Sequence, residues 1–309
     1  MMKTRMILHL FGALVLLVRP SIGQNSEALP DTGLNNKPAF NSILNIRPET
    51  LGKHAILFSF QAKFPEYYKY FNPKSGNTEQ VPKALVINEA YYNGQAIYGL
   101  TDRVDLYAML PVASVHHYSL SGTIAGKGFG DIVLGGNYSL LNSPQNSFTT
   151  GLSLGFPTGK YKNTGLNDYP LGLGSFRFKG DITGLHRFNN LDMVYSTYYE
   201  YRTDNADGLN VGDEVGAYLT FQKQFNTRYG NFGIEGGAYG LWNFKDKRND
   251  AYIPWSDNYE GNVMIGGWYK YLENFYLRVG VPYTIYQNQS WSTKYTVLIQ
   301  LDYYFSFKK

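Results

Sequence analysis

The C-terminal stretch alternates with a period of two. Tyr295, Val297, Ile299, Leu301, Tyr303, Phe305 and Phe307 share one parity. Lys294, Thr296, Gln300, Asp302 and Ser306 share the other, with Leu298 and Tyr304 among them. A period of two places successive side chains on opposite faces of a strand. The same pattern recurs in about twelve segments, at 54–64, 84–100, 103–115, 129–141, 147–158, 174–188, 191–203, 212–225, 231–244, 259–271, 275–286 and 293–307. Most are close to the roughly 10 residues that a tilted strand needs to cross a bilayer. No part of the chain after its first residues sustains a helical period.

Which side of such a strand meets lipid follows from its charges. In "FRFKGDITG", Phe176, Phe178, Gly180 and Ile182 alternate with Arg177, Lys179, Asp181 and Thr183. A mid-bilayer Arg or Lys on the lipid face costs roughly 2–4 kcal/mol. The charged parity must therefore face inward. Lys63, Glu89, Asp105, Asp131, Arg177, Lys179, Asp181, Glu200, Arg202, Glu214, Glu235, Arg278, Lys294 and Asp302 all fall on that parity and are the expected lumen-lining residues. Both signs occur on neighbouring strands. This suits either a salt-bridged filling that closes the barrel or a narrow charged path. Composition agrees: 28 tyrosines, 19 phenylalanines and 33 glycines accompany a mean hydropathy of −0.32, because lipid-facing and lumen-facing residues cancel on average.

Connections between the segments alternate in length. "GLTDR", "NSPQN", "FNN", "NTRYG" and "LEN" are short. "PEYYKYFNPKSGNTEQVPK", "HHYSLSGTIAGKG", "GKYKNTGLNDYPLGLG", "DNADGLN" and "KDKRNDAYIPWSDN" are long. Outer-membrane barrels have short periplasmic turns and longer external loops. An even strand count then places both mature termini in the periplasm. Tyr198, Tyr199 and Tyr201, and Trp268, Tyr269 and Tyr271, read as interfacial girdles. The expected fold is all-β: a transmembrane antiparallel barrel of about twelve strands, outer-membrane type, over 54–309. A soluble sandwich or propeller would have shorter strands and no alternation in loop length.

The chain opens with Lys3 and Arg5, an apolar run from Met6 to Val18, and Pro20. Ser21 and Gly23 then supply the small residues of a cleavage site before Gln24. This predicts a cleaved secretory signal over 1–23, too short to span a bilayer as a helix. The signal holds Lys3, Arg5 and Arg19 and no acids, so its +3 accounts for most of the formal +4 and leaves +1. Charge gives no argument for nucleic acid. There is no cysteine, which excludes disulfides, thiolate metal sites and lipidation through cysteine. Residues 24–53 are polar and interrupted by three prolines. They are expected to be a periplasmic or lumen-entering segment of low order, for which a plug role is open.

Several motifs invite other chemistry. The glycines of "KGFGDIVLGGNYSLL" imitate a dinucleotide fingerprint, but Ile132, Leu134, Gly136, Tyr138 and Leu140 continue as a strand, and no helix follows to meet a phosphate. "GFPTGK" has too few residues for a phosphate loop, and Tyr161 stands where Ser or Thr should hold magnesium. "GFGDIVLGGNYSLL" followed by "GLSLGFPTGKY", with the tight turn in "YGLTDRVDL", resembles the outer-membrane proteins grouped with the meta-pathway of phenol degradation, regarded as transporters. The resemblance is specific over about 98–161 and architectural beyond it. It implies a barrel that admits small hydrophobic or aromatic molecules. Turn chemistry gives Asp131, Pro157 and Gly159 structural jobs, a polar lumen or a turn hydrogen bond for the first and strand termination for the others.

His117 and Ser119 have the His-x-Ser spacing seen in outer-membrane phospholipase A, which a strand would place on one face. Leu120 stands where that family has Asn, and neither Asn137 nor Asp131, both on lumen parity, makes a convincing third member. Asp246, Asp250, Asp257 and Glu260 form an acidic loop, but their spacing is not that of a calcium site, and Lys245, Lys247 and Arg248 neutralise them. No catalytic residue, metal or cofactor is therefore expected. The expected function is a channel or transporter for a small, hydrophobic or aromatic solute in the outer membrane of a Gram-negative cell, with lipid and lipopolysaccharide around it. Apolar solutes would enter between the external loops and leave sideways or through a transient gap. A structural or surface-interaction barrel comes second and a lipid hydrolase third.

Overall fold

The computed structural model describes residues 42–307 apart from 45, 73–76, 83–84, 120–121, 163–168, 189–190, 228–229, 255, 273 and 289–290. All belong to one compact unit, Pro38–Lys309. The expected signal and the segment up to residue 41 lie outside the described residues.

Twelve strands form the wall. They are β1 Ala55–Asn72, β2 Val86–Gly99, β3 Val104–Ser119, β4 Val133–Asn142, β5 Asn146–Gly155, β6 Arg177–Phe188, β7 Leu191–Arg202, β8 Glu214–Thr227, β9 Gly230–Asn243, β10 Asn258–Leu272, β11 Phe275–Asn288 and β12 Trp291–Ser306. Each pairs antiparallel with its neighbour in the chain. β12 returns to β1, from Ala55↔Ser306 to Tyr70↔Trp291, and the sheet closes. Closure removes the edges of the sheet and pairs the backbone groups within the wall, which a hydrocarbon solvent demands.

The two parities separate as the charges require. Phe58, Phe60, Leu152, Ile265 and Ile285 stand exposed on the outer face, with Leu152 at 73% and Ile265 at 68%. An apolar belt around the whole wall is a lipid-contact surface. Gln61, Asp105, Thr220, Glu235, Gln300 and Asp302 are buried on the inner face. The turns at the end holding Ala55 and Ser306 are short. At the other end lie the long connections 73–85, 120–132, 156–176, 203–213 and 244–257, together with the short 289–290.

Four local expectations are corrected. "HHYSLSGTIAGKG" is not a loop: β3 runs through His117 to Ser119 and pairs with an added strand, Gly122–Phe129, which raises a hairpin above the wall. β1 likewise continues into a hairpin with Asn77–Gln80. Tyr198 and Trp268 are not girdle residues. They are buried on the inner face, while Tyr199, Tyr201 and Tyr271 are exposed on the outer one. Lys294 is not lumen-lining. The register passes from Glu66↔Tyr295 to Tyr67↔Thr293, so Lys294 is the extra residue of a bulge and is exposed. A bulge shifts the strand's parity by one, so Thr293 takes the inward position and bonds Thr284 at 3.1 Å.

Candidate functional site

The inner face is not empty at the short-turn end. Residues 42–52 run through it, and lumen side chains satisfy their backbone. The Ile43 amide donates to Glu235 of β9 at 3.2 Å, and the Ile43 carbonyl accepts from Gln61 of β1 at 2.6 Å. Ser147 of β5 donates to the Pro48 carbonyl at 2.6 Å, and the Leu51 amide donates to Asp105 of β3 at 3.1 Å. Arg47 forms a salt bridge with Asp105, whose side chain is fully buried, and Arg187 of β6 meets Glu49 at 2.7 Å. Between these anchors, Ile43 packs on Met264 and Leu298, and Ile46 packs on Leu185 and Val194. A polar segment can stay in a barrel only if its backbone groups find partners. The inward polar residues of six strands, β1, β3, β5, β6, β9 and β12, supply partners to the segment directly or through Gln300 and Asp302. Gln300 of β12 accepts from Gln61 and donates to Asp302, which accepts from Arg278 of β11 at 2.8 Å.

Above this floor, in the long-loop half, lies a cavity of about 520 Å³. Leu44 and Leu298 line its inner end, and Tyr67, Tyr91 and Asn258 its outer part. Two tyrosines of its wall, Tyr218 and Tyr239, stack with each other and with Tyr198 on the next strand. Tyr198 lies 6.0 Å from Tyr218, and Tyr218 lies 5.4 Å from Tyr239, with ring planes within 24° and 23° of parallel. The ammonium of Lys179 sits 3.8 Å from the Tyr198 ring. Flat rings in register suit β-sheet spacing and give a polar lumen an apolar track.

The sequence-predicted charges gather in two further groups. Arg202 bonds Glu200 and Glu214 at 2.8 Å each, and Arg177 stands 3.9 Å from Glu200. Arg177 and Arg202 are cross-strand partners, as are Lys179 and Glu200. Asp181 and Arg177 lie flat against the wall because Gly151 and Gly155 opposite them have no side chain. A Cβ at either would collide with the Asp181 carboxylate or the Arg177 guanidinium. On the other side, Glu89 accepts from Tyr67 and Tyr91 at 2.6 Å each and lies 2.6 Å from His117 Nε2. The His117 ring packs edgewise on Tyr169 at 5.5 Å. The acidic partner missing from the His-x-Ser reading is thus Glu89, which lies 28 residues before His117 on the neighbouring strand. Ser119's side chain lies outside the described residues.

Asp131 lies in neither group. It sits at the break between the added strand and β4 and accepts from the amides of Gly159 and Leu173, at 2.9 Å each. The Gly-Phe-Gly-Asp and Pro-Thr-Gly motifs are therefore two halves of one clamp that fixes the loop 156–176. A Cβ on Gly159 would meet the Gly130 backbone at 2.8 Å, and one on Gly172 the Gly159 backbone at 2.9 Å. In the acidic loop, Asp246 caps the Gly212 amide at 2.9 Å, and among the described residues no three His, Asp or Glu side chains converge on a metal position. Desolvation by burial raises the Asp246 carboxyl above its ordinary value, against the Gly212 bond.

Lys63 and Glu260 line the cavity, and Glu235, Arg278, Asp105 and Asp302 lie at or below the floor. Arg47 and Glu49 were missed in the sequence because their segment carries no period. Their prolines and charges signal a loop, and only the acceptors across the lumen give them a place.

Comparison with known proteins follows this architecture. The profile of the family described as "Putative MetA-pathway of phenol degradation" matches residues 86–297. No curated protein matches the sequence. The COG4313 outer membrane channel from Pseudomonas putida F1 is similar in structure, with a TM-score of 0.69 at 15% identity, over 83% of this chain and 97% of that one. The CymD monoaromatic hydrocarbon channel aligns with a TM-score of 0.44 at 9% identity, over 88% of this chain and 95% of that one. The translocator domain of the autotransporter NalP from Neisseria meningitidis aligns at 0.46 and 8% identity, over 82% and 88%.

Proposed function

Because the chain belongs to the family of the MetA-pathway of phenol degradation, we propose that it is an outer-membrane channel for small hydrophobic or aromatic solutes. The observation that carries this reading is the stacked track of Tyr198, Tyr218 and Tyr239 beside a cavity of about 520 Å³. Tyr67, Tyr91, Tyr218 and Tyr239 give that cavity aromatic faces for a small ring, and Gln61, Lys63, Asn258, Glu260 and Asn262 give it polar contact points. The name of the COG4313 outer membrane channel supports the channel part of this reading. In this reading residues 1–23 are cleaved, both mature termini are periplasmic, and outer-membrane lipid and lipopolysaccharide surround the wall. Solute enters from the long-loop end, meets the lumen-lining charges and the tyrosines, and passes when residues 42–52 disengage.

A twelve-stranded barrel is narrower than an open porin, and the cluster of Arg177, Lys179, Asp181, Glu200, Arg202 and Glu214 narrows it further. Proteoliposomes are therefore expected to pass nicotinamide, a neutral ring that crosses bare lipid slowly, faster than sucrose. Neutralising Arg177 and Arg202 together with glutamine should raise the leak of both. Undetectable flux of both solutes before and after that change would favour the structural or surface-interaction barrel.

One observation favours the hydrolase, the contact between His117 and Glu89. Against it, Glu89 also holds Tyr67 and Tyr91, so the cluster is bonded as a brace between β1, β2 and β3. Purified protein is expected to leave phospholipid intact. Cleavage that Ser119→Ala abolishes would reverse this order.

A further inference from the structure

The cavity holds two donors that its walls do not satisfy. Lys63 of β1 lines the cavity with Tyr91, Tyr239 and Glu260; no hydrogen bond or salt bridge joins it to the described residues, and the Glu260 carboxylate is the foremost opposite charge acting on it. Asn262 of β10 is 3% exposed. Its Oδ1 accepts from Thr284 at 2.8 Å, which fixes the amide and turns Nδ2 the other way. That nitrogen is buried without a partner among the described residues. An ammonium with no contact ion pair and an orphaned amide N–H in one cavity with tyrosine and proline faces are costly unless an acceptor completes them.

We infer that the cavity is a binding site for an oxygen-substituted aromatic monocarboxylate, with Lys63 on the carboxylate, Asn262 Nδ2 on the ring oxygen, and tyrosine and proline faces on the ring. A carboxylate fits because it is acceptor-only when ionised, and both open groups are donors. A neutral hydrocarbon would leave both unsatisfied. A cation would have to displace Lys63 and rely on Glu260, the acid that lines the same cavity and has interactions of its own. The inference rests on the channel reading and narrows its solute class from aromatic to anionic aromatic.

The test is equilibrium dialysis of the full-length barrel in detergent, against a detergent blank, with three probes of one size: 4-hydroxybenzoate, 4-hydroxybenzyl alcohol and tyramine. The acid is expected to bind about tenfold tighter than the alcohol or the amine, the scale of one charge-assisted contact. Lys63→Met should remove about that tenfold for the acid and leave the alcohol within about twofold. Lys63→Arg should retain the preference, which separates a charge effect from a folding defect. Asn262→Leu should weaken the acid and the alcohol alike, since both carry the ring hydroxyl. Equal binding of acid and alcohol, an acid affinity indifferent to Lys63→Met, or a preference for tyramine would each overturn the inference. Nicotinamide flux distinguishes the two levels. Flux without an acid preference removes only the anionic site, whereas acid binding without flux keeps the site and removes the channel.

Discussion

Replacing Arg47 with alanine is expected to destabilise the barrel by about 3–5 kcal/mol, the range for stripping one partner from a buried ion pair, and to raise small-ion conductance across planar bilayers several-fold. The reason is the position of Asp105. Its side chain is fully buried, and it holds both the Arg47 guanidinium and the Leu51 amide. Without Arg47 the carboxylate loses its main counter-ion in a dry site and must either hold its charge uncompensated or take up a proton, and both are costly. The segment 42–52 then keeps only its weaker anchors, among them Glu235, Gln61, Ser147, Arg187 and the Leu51 amide on Asp105. Adding Asp105→Asn to Arg47→Ala should recover much of the thermal stability, because no uncompensated charge remains. It should not restore closure, because no salt bridge does. Conductance that stays at the wild-type level in both variants would mean that the segment does not limit the path.

Asp131→Ala is expected to free the loop 156–176 while leaving the wall intact. The carboxylate is 3% exposed and takes two amide N–H bonds, from Gly159 and Leu173. Bonds to a charged group are worth about 1.5–3 kcal/mol each, so losing both removes about 3–6 kcal/mol of loop docking. Asp131→Asn keeps one acceptor oxygen and should lose about half of that. Hydrogen exchange at the two amides reads the effect directly: both should lose protection in Asp131→Ala while the amides of β8 to β11 keep theirs. Other anchors of the loop, such as Phe156 on the Ile132 carbonyl, Tyr169 on the Ala125 carbonyl and Thr158 Oγ1 on the Ile132 amide, are bonds between uncharged groups. Unchanged protection at Gly159 and Leu173 would show that the clamp is incidental.

The strands could be read from sequence because their signal is local. In β12 and β6 the alternation alone fixes which side is polar, and the cost of a charge in lipid fixes which side is inner. That argument reaches Arg177, Lys179, Asp181, Glu200, Arg202 and Glu214 without any knowledge of their partners. It fails where the period breaks. The bulge at Lys294 moves one residue and reverses the parity beyond it, and nothing in "SWSTKYTV" announces it. The paired hairpin at His116 and His117 was hidden by the serines and glycines around it. The Asp131 clamp needed the loop 156–176 to come back onto the strand, a contact across 28 and 42 residues. Most hidden was the floor. Ile43 meets Glu235 across 192 residues, and the apolar packing of Ile43 and Ile46 is shared among strands that the segment itself does not resemble. Its order comes wholly from the lumen around it.

That dependence makes the floor the most direct test of the channel account. A Cβ at Gly280 of β11 would stand 3.0 Å from Ile43 Cγ1, and the chain has no cysteine of its own. The variant carrying Ile43→Cys and Gly280→Cys can therefore lock the segment to the wall by one disulfide. The measurement is nicotinamide flux into proteoliposomes with that variant oxidised and then reduced. The account predicts that the disulfide forms readily, that the oxidised barrel passes nicotinamide at a small fraction of the reduced rate, and that reductant restores the flux. Equal flux in the two states, with the disulfide shown to be formed, would contradict it.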